Sequence, residues 1–284
     1  MTTAAGDRYA LNISLPPLRG QPLAPRIVAA AAAGFSLVET WWPFPTEHPS
    51  PSQTEELRTA LTNAGTRLVC MNIDAGDYAS GERGILSDPR RQRACQSSIL
   101  AAVQFASEVG CHLLNLPYGN RLPDMSEDEQ HQTAFDNLLF AARQAHSHGI
   151  TVLVEALNPL DNPGYLLTDL GMAADIVHRT HQRGTHNTGL LLDVYHIARM
   201  GQDPVQAIER YAKSLRHVQF ADTPGRSCPG TGDLDFARVV AALRDVAYDG
   251  LIGLEFDSRP GHHDTPADAR SFAARHPLVG DPVG

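Results

Sequence analysis

Eight short apolar runs alternate with longer segments of helical period. No Gly-x-Gly-x-x-Gly follows the first run, and no linker interrupts the pattern across 284 residues. These observations predict an α/β fold, a (β/α)8 TIM barrel forming a single domain over residues 1–284. The barrel is expected from about residue 8 to 275, with an irregular tail over 276–284. Continuous apolar strands joined by crossover helices imply a parallel sheet covered by helices, and a closed barrel of this type takes about 250 residues.

The elements follow in order. Strand one is read at Tyr9–Ser14, with an Ala-rich helix near Ala24–Ala33. Strand two is Ser36–Trp41, then a helix at Gln53–Ala64; strand three is Arg67–Ile73, then a helix at Pro89–Val109. Strand four is His112–Pro117, and the helix Ser126–His148 begins Ser-Glu-Asp-Glu, the form of a capping box. Strand five is Ile150–Ala156, followed by Asp169–His181. Strand six is Gly189–Val194, and its helix Pro204–Ser214 carries Pro at the first helical position after Asp203. Strand seven is Arg216–Ala221 with a helix at Asp235–Val246, and strand eight is Leu251–Phe256 with a weaker helical pattern at Pro266–Ala274.

Composition narrows the function. A net charge of −9 gives no electrostatic footprint for nucleic acid or an anionic membrane. Cys70, Cys95, Cys111 and Cys228 are scattered, without a zinc or disulfide spacing. The start MTTAAGDRYALNIS lacks the basic and apolar regions of a signal peptide, and no run reaches a membrane span of roughly 18 apolar residues. A reducing compartment, most simply the cytoplasm, is expected, with no nucleic-acid or membrane partner; a homo-oligomer stays open.

In a barrel of this kind the chemistry gathers at the C-terminal ends of the strands. Strand five ends LVEAL and presents Glu155. Strand six ends LLLDVYH and presents Asp193, then His196. Strand seven ends HVQFAD and presents Gln219, then Asp222. Strand eight ends LIGLEFD and presents Glu255, then Asp257. Each first-named residue interrupts an apolar run, where an uncompensated polar group is expensive. Three carboxylates and an amide oxygen at equivalent ends of consecutive strands are hard ligands, suited to one octahedral divalent cation, Mg²⁺ or Mn²⁺. The plainer reading is that each caps the next helix, but caps favour Ser, Thr, Asp and Asn and would not select Glu twice.

The blocks LNIS (11–14), AGDYASGERGI (75–85), LVEALNPLDNPGYLLT (153–168), LLDVYHIARMGQD (191–203), HVQFADTPGRSCPGTGDLDF (217–236) and YDGLIGLEF (248–256) resemble the hydroxypyruvate isomerase family, within the xylose-isomerase-like barrels. The resemblance implies that Glu155 and Glu255 are the catalytic acid/base pair and that Glu155, Asp193, Gln219 and Glu255 hold the metal. It implies an aldose–ketose type isomerase interconverting hydroxypyruvate and 2-hydroxy-3-oxopropanoate (tartronate semialdehyde) through an enediolate. Two departures stand out: Ala156 where the family writes Pro, and Asp74 in NIDAGD.

Such a small oxo-acid substrate carries a carboxylate. Arg226 in the loop after strand seven can bind it bidentately, with Arg83 in the GERG loop a second candidate and His196 a candidate for a substrate oxygen. A surface arginine or a structural histidine would read the same way. His217 is read as structural, His262 and His263 as solvated, Trp41 as pocket wall or core, and the Gly76–Gly84 loop as a cover or a surface turn. The alternatives are an isomerase of a four-carbon 2-oxo sugar acid (a 2-oxo-tetronate), a ketose 3-epimerase, and a sugar-acid-binding barrel without turnover. A phosphodiester-cleaving enzyme would want a His-rich metal cluster and a basic face.

Overall fold

In the computed structural model, which describes residues 8–15, 18–257 and 264–278, eight parallel strands close into a barrel in chain order. They are β1 (Tyr9–Asn12), β2 (Leu37–Thr40), β3 (Arg67–Asn72), β4 (Leu113–Asn115), β5 (Thr151–Glu155), β6 (Thr188–Asp193), β7 (Leu215–Phe220) and β8 (Ile252–Leu254). The helices are α1 (Leu23–Ala32), α2 (Pro51–Ala64), α3 (Gln92–Val109), α4 (Glu127–His146), α5 (Leu170–Gln182), α6 (Val194–Arg199), α7 (Pro204–Tyr211), α8 (Phe236–Asp245) and α9 (Pro266–Arg275). All eight expected strands form, each within two residues of the expected ends. The expected solvated pair His262 and His263 lies outside the described residues, as does the tail beyond Leu278.

One helix has no counterpart in the sequence reading. Six-residue α6 follows β6 without a loop, with Asp193 as its N-cap; fewer than two turns carry no readable period. Capping elsewhere follows side-chain chemistry. Ser126 accepts from the Glu129 N–H at the start of α4, and Asp203 accepts from the Val205 N–H ahead of Pro204 in α7. The reciprocal capping box forms at α9, between Thr265 and Asp268.

The chain divides into two compact units, Met1–Glu39 with Thr59–Arg67 and Leu192–Gly284, and Thr40–Arg58 with Leu68–Leu191. In the first, β1 pairs in parallel with β2 (Asn12 opposite Glu39) and with β8, and β7 pairs with β8 so that Gln219 lies opposite Gly253. Its core is aromatic. Tyr9, Phe220, Phe236 and Phe272 meet with ring centroids 5.1–6.4 Å apart, mostly edge to face, the arrangement the ring quadrupoles favour.

In the second unit, β3, β4 and β5 pair in register, Asn72 opposite Asn115 and Asn115 opposite Leu153. Buried Cys70, Leu153 and Leu191 pack together here. α3 and α4 turn Ile99, Ala102, Phe135 and Leu138 inward. Buried Asn137 on α4 donates to the Leu86 carbonyl at 2.9 Å. Among the described residues no helix is long and apolar enough to cross a membrane.

Candidate active site

The first unit holds most of the expected site residues. Asp193 ends β6 and is 2% exposed. Its Oδ1 accepts from the Tyr195 N–H at 2.9 Å, so the plainer capping role is real for one oxygen. The other, Oδ2, is buried and accepts no hydrogen bond among the described residues. It lies 3.5 Å from the Arg226 guanidinium and 3.6 Å from His196 Nε2. Burial pushes the Asp193 carboxyl up to about 7; Arg226 pulls it down and Glu255 pushes it further up.

Glu255 follows β8, buried, with Oε1 3.3 Å from the same guanidinium. Arg226 thus bridges Asp193 and Glu255, two of the expected ligands, rather than projecting from a surface turn. Its backbone has φ 55°, a left-handed conformation uncommon for a residue with a Cβ. The fold holds it there: the Asp257 N–H donates to the Arg226 carbonyl at 2.7 Å.

Asp222 organises the rest of that loop. Fully buried, its carboxylate accepts from the backbone N–H groups of Gly230, Gly232 and Leu234 at 2.8–3.0 Å. Gly232 is required because a Cβ there would collide with the Thr223 carbonyl. The strand-seven acid is therefore a loop anchor.

Gln219 and His217 are two residues apart on β7 and so share one face of the strand. Gln219 Nε2 donates to Glu39 Oε1 at 2.7 Å, and His217 Nε2 meets Glu39 Oε2 at 2.7 Å. Gln219 Oε1 is buried and has no hydrogen-bond partner among the described residues. His217 is fully buried, as its structural reading expects. Glu39 is the residue the sequence reading missed, although Ser-Leu-Val-Glu carries the same signal as Leu-Val-Glu at Glu155: an acid at the end of an apolar run.

The second unit holds Glu155 and Arg83. Glu155 ends β5, buried, with Oε2 accepting from Asn115 Nδ2 at 2.8 Å. Asn115 also donates to Asn72 Oδ1 at 3.1 Å, so the paired asparagines of β3 and β4 steady the glutamate. The Tyr165 hydroxyl donates to the Glu155 carbonyl at 3.4 Å. Arg83 is committed to its surroundings. It donates to Asn162 Oδ1 at 3.1 Å and to the Glu82 carbonyl at 2.8 Å, and its guanidinium lies 3.8 Å from the Tyr78 ring centre. Trp41 lies against the same ring, tilted by 42°, with centroids 4.8 Å apart. Gly84 needs φ 119° and no Cβ, since one there would collide with the Pro117 carbonyl. The Gly76–Gly84 loop is pinned further by Glu82, which accepts from the Asp77 N–H and pairs with Arg91. Asp74 accepts from the Gly76 N–H at 3.1 Å, and burial raises its carboxyl above the ordinary range.

The donors of the first unit fit a hard cation. Two buried oxygens, Asp193 Oδ2 and Gln219 Oε1, accept no hydrogen bond among the described residues, and a buried acceptor left so costs about 1–3 kcal/mol. A hard cation is the kind of partner such an oxygen lacks.

Residues 27–275 match the family model described as xylose isomerase-like TIM barrel. The chain belongs to that family. Within it, a Streptomyces coelicolor protein provisionally named hydroxypyruvate isomerase is 40% identical over 273 residues, covering 95% of each chain. A 2-oxo-tetronate isomerase of Cupriavidus necator is 32% identical over 256 residues, 89% of this chain and 94% of its own. Among solved structures, a family 2 AP endonuclease of Brucella melitensis superposes with a TM-score of 0.83 at 28% identity, covering 95% of this chain and 99% of its own.

Proposed function

We propose that the protein is an isomerase of short 2-oxo acids, interconverting hydroxypyruvate and 2-hydroxy-3-oxopropanoate by proton transfer through an enediolate. The eight strand ends would serve as one catalytic domain, in a reducing compartment such as the cytoplasm. The observation that carries the reading is the buried Gln219 Oε1, left without a hydrogen bond in the unit that also gathers Asp193, Glu255 and Arg226. A buried amide oxygen without a donor is a ligand in want of a cation, and the named relatives supply the substrate class.

In this reading Glu155, Asp193, Gln219 and Glu255 hold one Mg²⁺ or Mn²⁺. When bound, such a cation would polarise the substrate carbonyl and so acidify the neighbouring C–H. One glutamate takes a proton from C3 of hydroxypyruvate, the other returns one at C2, and the C3 hydroxyl proton passes to the C2 oxygen, giving the aldehyde. Two carboxylates in different surroundings can divide the roles of base and acid. Glu155 is braced by an asparagine amide, whereas Glu255 shares its guanidinium with Asp193. Arg226 binds the substrate carboxylate, and His196 a substrate oxygen. Arg83, tied to Asn162 and Tyr78, serves the site by fixing its own loop.

The four-carbon reading has its own support in the Cupriavidus relative. A phosphodiesterase reading, suggested by the Brucella name, is disfavoured by the net charge of −9, since nucleic-acid affinity rests on Lys and Arg neutralising phosphates. The test is turnover with Mg²⁺ or Mn²⁺ in deuterated water over three- to six-carbon 2-oxo acids and ketoses. Hydroxypyruvate is expected to give the highest kcat/KM with solvent deuterium at the new C–H. A higher value for a 2-oxo-tetronate would move the assignment to the four-carbon acid, and turnover of no oxo acid would refute both.

A further inference from the structure

We infer that Glu39 is a positioning residue, which sets the orientation of the Gln219 amide and so selects the oxygen that Gln219 offers to the cation. The inference rests on the metal reading above and deepens it.

An amide has a donor end and an acceptor end, and only the acceptor can bind a cation. Nothing in the Gln219 side chain itself decides which end turns where. Glu39 decides it, because an ionised carboxylate only accepts. With the amide reversed, Gln219 Oε1 would face Glu39 Oε1 at about the 2.7 Å now spanned by the N–H···O bond. Two oxygen acceptors do not share that distance. The nitrogen is thus held on Glu39, and Oε1 is left as the buried, unbonded atom.

Glu39 is itself fixed on several sides. It is 1% exposed. His217 Nε2 binds its second oxygen at 2.7 Å, and Asn12 Nδ2 donates to the first at 3.3 Å. Gly253 completes the socket: it lies opposite Gln219 in the β7–β8 register, and a Cβ there would collide with the Glu39 carboxylate. A glycine, a histidine and an asparagine from three strands are therefore arranged around an acid whose own contact with the candidate site is Gln219.

The experiment is a double-mutant cycle read by Mn²⁺ affinity, measured calorimetrically on the folded parent, Glu39→Gln, Gln219→Ala and the double variant. Glu39→Gln keeps the shape, but its amide can face Gln219 with either end, so the selection is lost. Loss of such an outer partner typically weakens metal binding about 10–100-fold, and that loss is expected in Glu39→Gln. In the Gln219→Ala background the same change should alter affinity less than about threefold, since Glu39 then has no ligand left to orient. Parent-like affinity in Glu39→Gln, or an equal loss in both backgrounds, would overturn the inference. A parent that binds no Mn²⁺ would overturn the metal reading itself, a separate result. Should Glu39→Gln fail to fold, NMR of the parent decides. The Gln219 side-chain NH2, identified by its disappearance in Gln219→Ala, should resist solvent exchange with and without Mg²⁺. Exchange as fast as that of surface glutamines would overturn the inference.

Discussion

At the scale of single residues, charge burial dominates. The Asp193 carboxyl, ordinarily near 3.8, is pushed up to about 7 by burial. A folded-state value above the unfolded one means the folded protein holds an extra proton between them. In protein stripped of divalent cations, this contribution to stability is therefore fully present below about pH 4 and lost as pH rises through about 7. Stripped protein should gain more in Tm from Mn²⁺ at pH 8 than at pH 5.5; equal gains would show that Asp193 does not meet the cation. Arg226, bridging Asp193 and Glu255, leads to a second expectation. Arg226→Lys keeps the charge but loses the planar fork, and a charge-assisted bond is worth about 1.5–3 kcal/mol. Steady-state kinetics should show kcat/KM for the oxo acid lowered by about 10–100-fold, and unchanged kinetics would remove Arg226 from the substrate site. The cysteines give a third. All four are buried, and burial pushes Cys95 and Cys228 up to about 12. Alkylation by iodoacetamide at pH 8, followed by mass spectrometry, should leave the native thiols unmodified and label them on unfolding.

At the scale of elements, the loop after β7 joins a strand to a site. Asp222 gathers four backbone N–H groups, those of Thr223, Gly230, Gly232 and Leu234, and Gly232 lets the chain pass the Thr223 carbonyl, so the loop can carry Arg226 in its left-handed conformation. Gly232→Ala forces a backbone shift of the kind that costs about 1–3 kcal/mol. It should lower Tm and raise KM together, because the displaced loop carries Arg226; a variant with a lower Tm and parent kinetics would separate the loop from the site. The strands were legible because each is a short apolar run that ends in turn residues or an isolated polar group. Two things were not. Helix α6 is too short to show a period, and it leaves β6 without a loop. The loop-anchoring role of Asp222 is the other, because its N–H partners lie up to 12 residues further along the chain and leave no local pattern.

At the scale of the molecule, the closed parallel barrel was readable from eight alternating units and the absence of a Gly-x-Gly-x-x-Gly after the first, since apolar strands with crossover helices admit few topologies. The candidate site was readable as positions but not as contacts. The sequence pointed to Gln219 without its partner Glu39, and to Glu155 without Asn115, because hydrogen bonds between strands far apart in the chain leave no local pattern. The central claim is that Glu155 and Glu255 move the proton. It is tested most directly by solvent deuterium incorporation into the substrate, followed by NMR, in Glu155→Gln and Glu255→Gln, with Mn²⁺ content measured on each. Replacing a general acid or base typically costs about 10²–10⁴-fold. Each variant with its metal retained is expected to lose turnover and label incorporation together by at least about 100-fold. A variant that keeps its metal and still exchanges and turns over near the parent rate would contradict the account.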